Sequence, residues 1–316
     1  MKRHLLIGLV CISSLFSQLA CQTQPQTQST PLPMQALDSL LSSYISQPVY
    51  YAEYGNRGCR FELYINGVLV DQLRGKGTIG KTATTINPEI LKSGKQKVKL
   101  RLFPYPKETR ISNENPFQLE IGYNDFSVEV GPQEQRPWHV SLTMPPISVP
   151  SEGLPYYEYE GTFDANVPYR IHNWSNCIDL RQIPDIEERV VAEFNKVRQW
   201  MVDREFDSIK AYYAYRDNEL AVCLYESTKT QARDWKRTCN DISDEDFGDF
   251  LPIEEYEMLF SADGKVVTLH SKKKRGFNSA LLKIKEIEGT SQYRYDAFHL
   301  NLGIREGTNE LIAIVG

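Results

Sequence analysis

The sequence predicts a mainly antiparallel architecture: a jelly-roll-like N-terminal β-sandwich followed by an α+β domain with an antiparallel sheet. Three observations predict it. Between Cys59 and Met144, apolar residues recur at every second position, the spacing of strands buried on one face. From Asp185 to Glu205 the spacing changes to that of a single helix face. Beyond residue 255 the period of two returns in short runs between turn residues, so helices come first and strands after. Pro145 to Gly161, rich in Pro and Gly, divides the two and places the domains at 35–150 and 151–316.

Taken in order, the chain opens on an export segment. Lys2 and Arg3 give a positive start, and Leu5 to Phe16 give an apolar run too short for a bilayer, which needs about 20 residues. The segment ends Gln18-Leu19-Ala20-Cys21, which resembles the lipobox of bacterial lipoproteins. The resemblance covers residues 1–21 alone. It implies cleavage before Cys21, lipid attachment at Cys21, and an envelope protein facing the periplasm or the exterior. A plain signal-peptidase cut would instead leave the chain soluble in the periplasm. Residues 22–34 begin QTQPQTQSTPLP, which buries nothing and reads as a flexible tether.

Leu37, Leu40, Leu41, Tyr44 and Ile45 fall at helical spacing before Pro48, predicting a short leading helix. RFELYI and VLVDQL flank Asn66-Gly67, the pair that supplies the positive φ values of a type I′ hairpin turn. Lys97 to Leu102 alternates, with Val98, Leu100 and Leu102 on the apolar face. Phe117, Leu119, Ile121 and Tyr123 repeat the pattern, as do Phe126, Val128 and Val130, then Trp138, Val140, Leu142 and Met144. FELYINGVLV with ILKSGKQKVKLRL loosely resembles the accessory β-sandwich modules of exported bacterial proteins over about forty residues. His139 falls on the polar side of its strand.

In the second domain, Ile186, Val190, Phe194, Val197 and Met201 form one stripe of a helix from Ile186 to Glu205, with Asp185 as its N-cap. Ser208 to Glu226, dense in Tyr and β-branched residues, reads as a hairpin rather than a second helix. Ser227 to Cys239 reads as a helix with Ala232 and Trp235 inward. EYEMLFS, KVVTLH, ALLKIKEI, YRYDAFHLNLGI and ELIAIV then read as a meander.

Charge and cysteines narrow the function classes. The formal net charge of −5 deepens by two once Lys2 and Arg3 are removed, which argues against a nucleic-acid partner. Cys59, Cys177, Cys223 and Cys239 remain after cleavage, an even set that reads as two disulfides in an oxidising compartment. Loop closure favours Cys223–Cys239, leaving Cys59–Cys177 to clip the domains together.

Gly75 to Thr82, GKGTIGKT, matches every fixed position of a phosphate-binding loop. The strand before it belongs to a hairpin, however, and ATTIN followed by Pro88 cannot continue as a helix. The expectation is a Gly-rich strand connection, with no nucleotide, cofactor or metal. Asn240 to Asp249, NDISDEDFGD, lacks the spacing of a calcium loop and reads as a solvated acidic turn with Ser243 and Asp246 in a capping arrangement. Lys272 to Arg275 reads as a solvated basic loop. Tyr156, Tyr157 and Tyr159 read as strand aromatics, with stacking on a sugar or partner as the other reading.

Chemistry is best sought on the last sheet. If Phe298, Leu300, Leu302 and Ile304 face the core, Tyr295, His299 and Asn301 share the other face, and His270 approaches from a neighbouring strand. No nucleophile or acidic orienter accompanies them by spacing. The expectation is a non-catalytic, lipid-anchored binding module for a protein or cell-wall glycan partner, with an immunity protein against a periplasmic toxin as a specialised version. The alternative is an exported hydrolase or isomerase using the Tyr295/His299/Asn301 face.

Overall fold

The computed structural model describes residues 34–131, 134–272, 279–290 and 292–315; the export signal, Cys21 and most of the tether and of the basic loop lie outside them. Leu37 and Leu41 bury one face of α1 (Met34–Ser42), which ends before Ile45, a residue left exposed. Eight strands follow: β1 (Pro48–Asn56), β2 (Arg60–Ile65), β3 (Val68–Leu73), β4 (Ile79–Thr85), β5 (Lys92–Phe103), β6 (Phe117–Asp125), β7 (His139–Thr143) and β8 (Tyr157–Arg170). They form two antiparallel sheets, ordered β4-β1-β6-β7 and β3-β2-β5-β8. The β2–β3 turn places Asn66 and Gly67 at φ 51° and 84°, and the Asn66 amide secures it by donating to the carbonyl of Glu89 and the side chain of Gln96.

The inward residues of both sheets fill one core. Phe61 of one sheet packs 5.0 Å from Phe117 and 5.6 Å from Tyr54 of the other. Strand β8, downstream of residue 150, pairs along almost its whole length with β5, so Phe163, Ala165, Val167 and Tyr169 belong to this core. Phe126 and Val128 are exposed and form no strand, because the chain turns at Asp125, whose carboxylate accepts from the backbone of Gln47 and Ser127. A bulge in the β6–β7 pairing sets Ile121 opposite Leu142 but Gly122 opposite Val140. Leu142 and Met144 therefore turn inward while Val140 is exposed, so the uniform alternation expected from Trp138 to Met144 is broken.

The helices come next: α2 (Ile186–Asp203), α3 (Phe206–Cys223) and α4 (Thr228–Ser243). The α2 stripe is buried as its spacing predicts. The expected hairpin over Ser208–Glu226 is instead α3. Its apolar residues make no single stripe, because Ile209 and Tyr213 face a second core while Ala221, Val222 and Cys223 enter the first. A helix buried against two cores loses the one-sided periodicity that sequence reasoning relies on. In α4, capped by the Ser227 hydroxyl, Trp235 is half-buried but Ala232 is exposed.

Among the described residues seven short strands follow: β9 (Asp249–Phe250), β10 (Tyr256–Ser261), β11 (Val266–Ser271), β12 (Leu281–Glu286), β13 (Tyr293–Phe298), β14 (Asn301–Ile304) and β15 (Leu311–Ile314). They do not form one meander. They divide into β10-β11-β14-β15 and β13-β12-β9, both antiparallel. The result is a sheet-rich α+β fold, and the described residues make one compact unit. Lys283, 3 % exposed, donates from β12 to the carbonyls of Asp241, Ile242 and Asp244, satisfying the C-terminal end of α4.

Asn87 joins the layers. Its Oδ1 accepts from the Tyr50 amide at 2.6 Å, and its Nδ2 donates to the carbonyls of Pro48 at 3.0 Å and Cys223 at 2.9 Å. One fully buried side chain thus ties β1 to the last turn of α3. Replacing Asn87 by Ala takes this partner from the Tyr50 amide and the Cys223 carbonyl, each loss costing about 1–3 kcal/mol, and leaves the Pro48 carbonyl to the Tyr225 hydroxyl alone. Chemical denaturation of Asn87→Ala is expected to show a loss of several kcal/mol; a loss below about 1 kcal/mol would remove this linkage from the account.

Candidate functional site

The expected Tyr295/His299/Asn301 face is not one face. Tyr295 lies on β13 opposite Ile284 of β12, and Asn301 lies on β14 opposite Ile314 of β15, in a different sheet. The run from Tyr293 to Ile304 breaks at His299–Leu300, where the chain passes between sheets; Leu300, Leu302 and Ile304 are buried and Phe298 is half-buried, as their spacing predicts. The structure does bring His270 towards His299. Val267 of β11 pairs with Leu302 of β14; beyond it the edge of β11 passes to residues 279–280, the Ala280 amide donating to the Leu269 carbonyl and the Ser271 amide to the Ser279 carbonyl, and His299 lies near enough to act on the charge of His270.

His270 is buried, and its position is fixed by residues far away in sequence. Gln72 on β3 donates from Nε2 to His270 Nδ1 at 3.0 Å, which leaves the ring proton on Nε2. Gln72 Oε1 accepts from Arg74 Nε at 2.9 Å, and Arg74 Nη1 reaches Glu257 Oε2 at 2.6 Å. Glu257 is the cross-strand partner of His270. Burial, the Arg74 charge and His299 together push the His270 pKa down to about 3, so the ring is neutral. A buried neutral imidazole whose Nδ1 is occupied is poorly placed for general acid–base work.

Gln72, Arg74 and Glu257 of this chain of contacts line a groove of about 540 Å³, together with Arg60, Glu62 and Phe103 among others. Arg60 donates to the Pro104 carbonyl and lies over the Phe103 ring, which packs 5.4 Å from Tyr156. Beyond the groove, Arg101 contacts Glu62 and Glu158, and Lys99 contacts Glu158 and Glu160. Such half-exposed pairs contribute little to stability but hold charges of both signs in fixed positions. Tyr156 is exposed, whereas Tyr157 and Tyr159 pack against the first core. No local pattern announces Gln72, Arg74 or Glu257, because the groove is made by contacts about 180 residues apart in sequence.

The other singled-out residues lie apart from it. Cys59, Cys177, Cys223 and Cys239 are free thiols, and neither expected disulfide is formed. Cys59, Cys177 and Cys223 are buried against the carbonyls of Pro116, Asn173 and Leu220 respectively. Burial pushes the Cys59 thiol up to about 12 and Cys177 up to about 11, which makes both poor nucleophiles. The phosphate-loop-like GKGTIGKT links β3 to β4 across the two sheets; Gly80, Lys81 and Thr82 are strand residues, and Lys81 pairs with Glu53 at 2.6 Å. In the acidic turn it is Asp244 that caps, accepting from the Asp246 amide, in place of the expected Ser243. Glu89 is buried, with Oε2 unpartnered, and burial raises its pKa to about 8. Among the described residues there is no group of three or more metal-ligating side chains, and no helix long and apolar enough to cross a membrane.

The chain matches no family model, no curated protein and no solved structure.

The buried His270 sets a pH dependence. Its folded pKa of about 3 lies below the ordinary value of 6.5, so the unfolded chain binds the extra proton. This contribution to stability is complete above pH 6.5 and is lost as pH falls towards 3, by an amount on the order of 3–5 kcal/mol. His270→Gln, which keeps a polar partner for Gln72 and does not titrate, is expected to flatten the stability profile between pH 6.5 and 4. An unchanged slope in chemical denaturation across that range would show that His270 is not the group responsible.

Proposed function

We propose that the chain is a non-catalytic binding module, exported and anchored at a bacterial membrane through Cys21, which engages a protein or cell-wall glycan partner through the groove. In this reading the first two sheets act as a jelly-roll-like sandwich that carries one wall of the groove, and β10 and β11 carry the other. The observation that supports it best is that the polar groups of the groove are paired with one another. Arg74 is held by Gln72 and Glu257, and Arg60 by the Pro104 carbonyl and the Phe103 ring. Fixed charges of both signs beside an aromatic wall suit recognition, because little side-chain entropy is left to lose on binding. The groups that would serve acid–base chemistry are divided between sheets or buried in neutral form.

Photo-crosslinking in cells tests this. A photoreactive residue at Glu62, on the groove wall, is expected to give a discrete adduct that the same residue at exposed Val202 on α2 does not give. The adduct is a protein band for a protein partner and a muramidase-sensitive species for a glycan. It is expected to weaken at least tenfold when Arg74→Glu breaks the pair with Glu257. Identical adducts from both positions, or none from position 62, would overturn the proposal.

A further inference from the structure

We infer that the outer face of the β4-β1-β6-β7 sheet carries a second binding site, for a pyranose ring of a neutral glycan stacked on Trp138 and Tyr51. Four observations lead there. The bulge between Ile121 and Gly122 turns the segment around Val140 outward, leaving Val140 55 % exposed beside a half-buried Trp138. The indole lies against the backbone of Gly122, where an added Cβ would come within 2.6 Å of the ring, so glycine is the residue that lets it lie flat. Its Nε1 donates to Glu120 Oε1 at 2.8 Å, which fixes the ring in its plane. Tyr51, opposite Gly122 on β1, places its ring 6.3 Å from Trp138 at 42°, making a shallow two-ring platform.

Two flat aromatic faces, rigidly held and rimmed by hydrogen-bonding groups, suit a ligand with an apolar C–H face and a polar edge. A pyranose ring is such a ligand. Glu120 accepts from Trp138 and Thr143, and Glu53 pairs with Lys81 at 2.6 Å, but each carboxylate retains lone pairs for sugar hydroxyl groups. A cationic ligand would also favour aromatic rings near carboxylates. Here that place is already taken by Lys81, whose protonated form both Glu53 and Glu120 favour. A neutral sugar is the ligand that leaves this balance undisturbed.

This inference goes beyond the groove reading and shares no residue with it, so each can fail alone. The test is an array of neutral hexose and N-acetylhexosamine oligomers, followed by calorimetric titration of the full chain with cellotetraose and chitotetraose. Saturable binding of at least one oligomer class is expected. Trp138→Ala is expected to weaken it at least tenfold and Tyr51→Ala severalfold, while Trp138→Phe restores part of the affinity. Each variant is compared only if its unfolding midpoint is preserved; the Tyr51 variant carries the test if Trp138→Ala does not fold. Absence of saturable binding across the array, or affinity unchanged by removing either ring, would overturn the inference. So would displacement of the bound sugar by tetramethylammonium or a lysine-rich peptide at lower concentrations than free glucose, which would mark the platform as a cation site.

Discussion

Much of this structure depends on one buried amide. Asn87 bonds backbone groups of β1 and of the last turn of α3 at once. Buried peptide groups are costly to leave unpaired, so the amide defines where the helical layer meets the first sheet. Around it, Tyr169 donates to the Asn87 carbonyl and Tyr225 to the Pro48 carbonyl, so β8 and the segment after α3 converge on the same point. The lowered polarity of this region is visible in Glu89, whose carboxyl is pushed towards its neutral form.

The same junction explains how a groove arises. With the end of α3 fixed in the first core and its beginning in the second, the edge strand β3 lies close enough to β10 and β11 for Arg74 to reach Glu257 and for Gln72 to reach His270. The groove walls thus come from both halves of the chain. Its side chains are arranged by long-range packing, and their charges neutralise one another in pairs. Such an arrangement favours selective recognition of a partner's charge pattern over the transfer of a proton.

The sequence was most legible where structure is local. Asn66-Gly67, the alternation of Val98, Leu100 and Leu102, and the stripe from Ile186 to Met201 all followed from turn chemistry and periodicity. Legibility failed where one element serves two environments. The apolar residues of α3 divide between cores and so mimic a hairpin, and a single bulge reverses the facing of Val140 relative to Leu142. The Tyr295–Asn301 face failed for a related reason: alternation cannot show that a strand leaves one sheet for another at His299. GKGTIGKT has the letters of a phosphate loop, but its final residues lie in an extended strand. The four cysteines illustrate the limit of counting, because an even number does not by itself bring any two sulfurs together. Gln72, Arg74 and Glu257 had no local signal at all.

The central claim is that both cores and the groove between them belong to one cooperative unit, joined at Asn87 and α3. Differential scanning calorimetry of the chain from residue 31 onward tests this most directly. The account predicts a single endotherm whose van't Hoff and calorimetric enthalpies agree. Two separable transitions, one for each core, would contradict it.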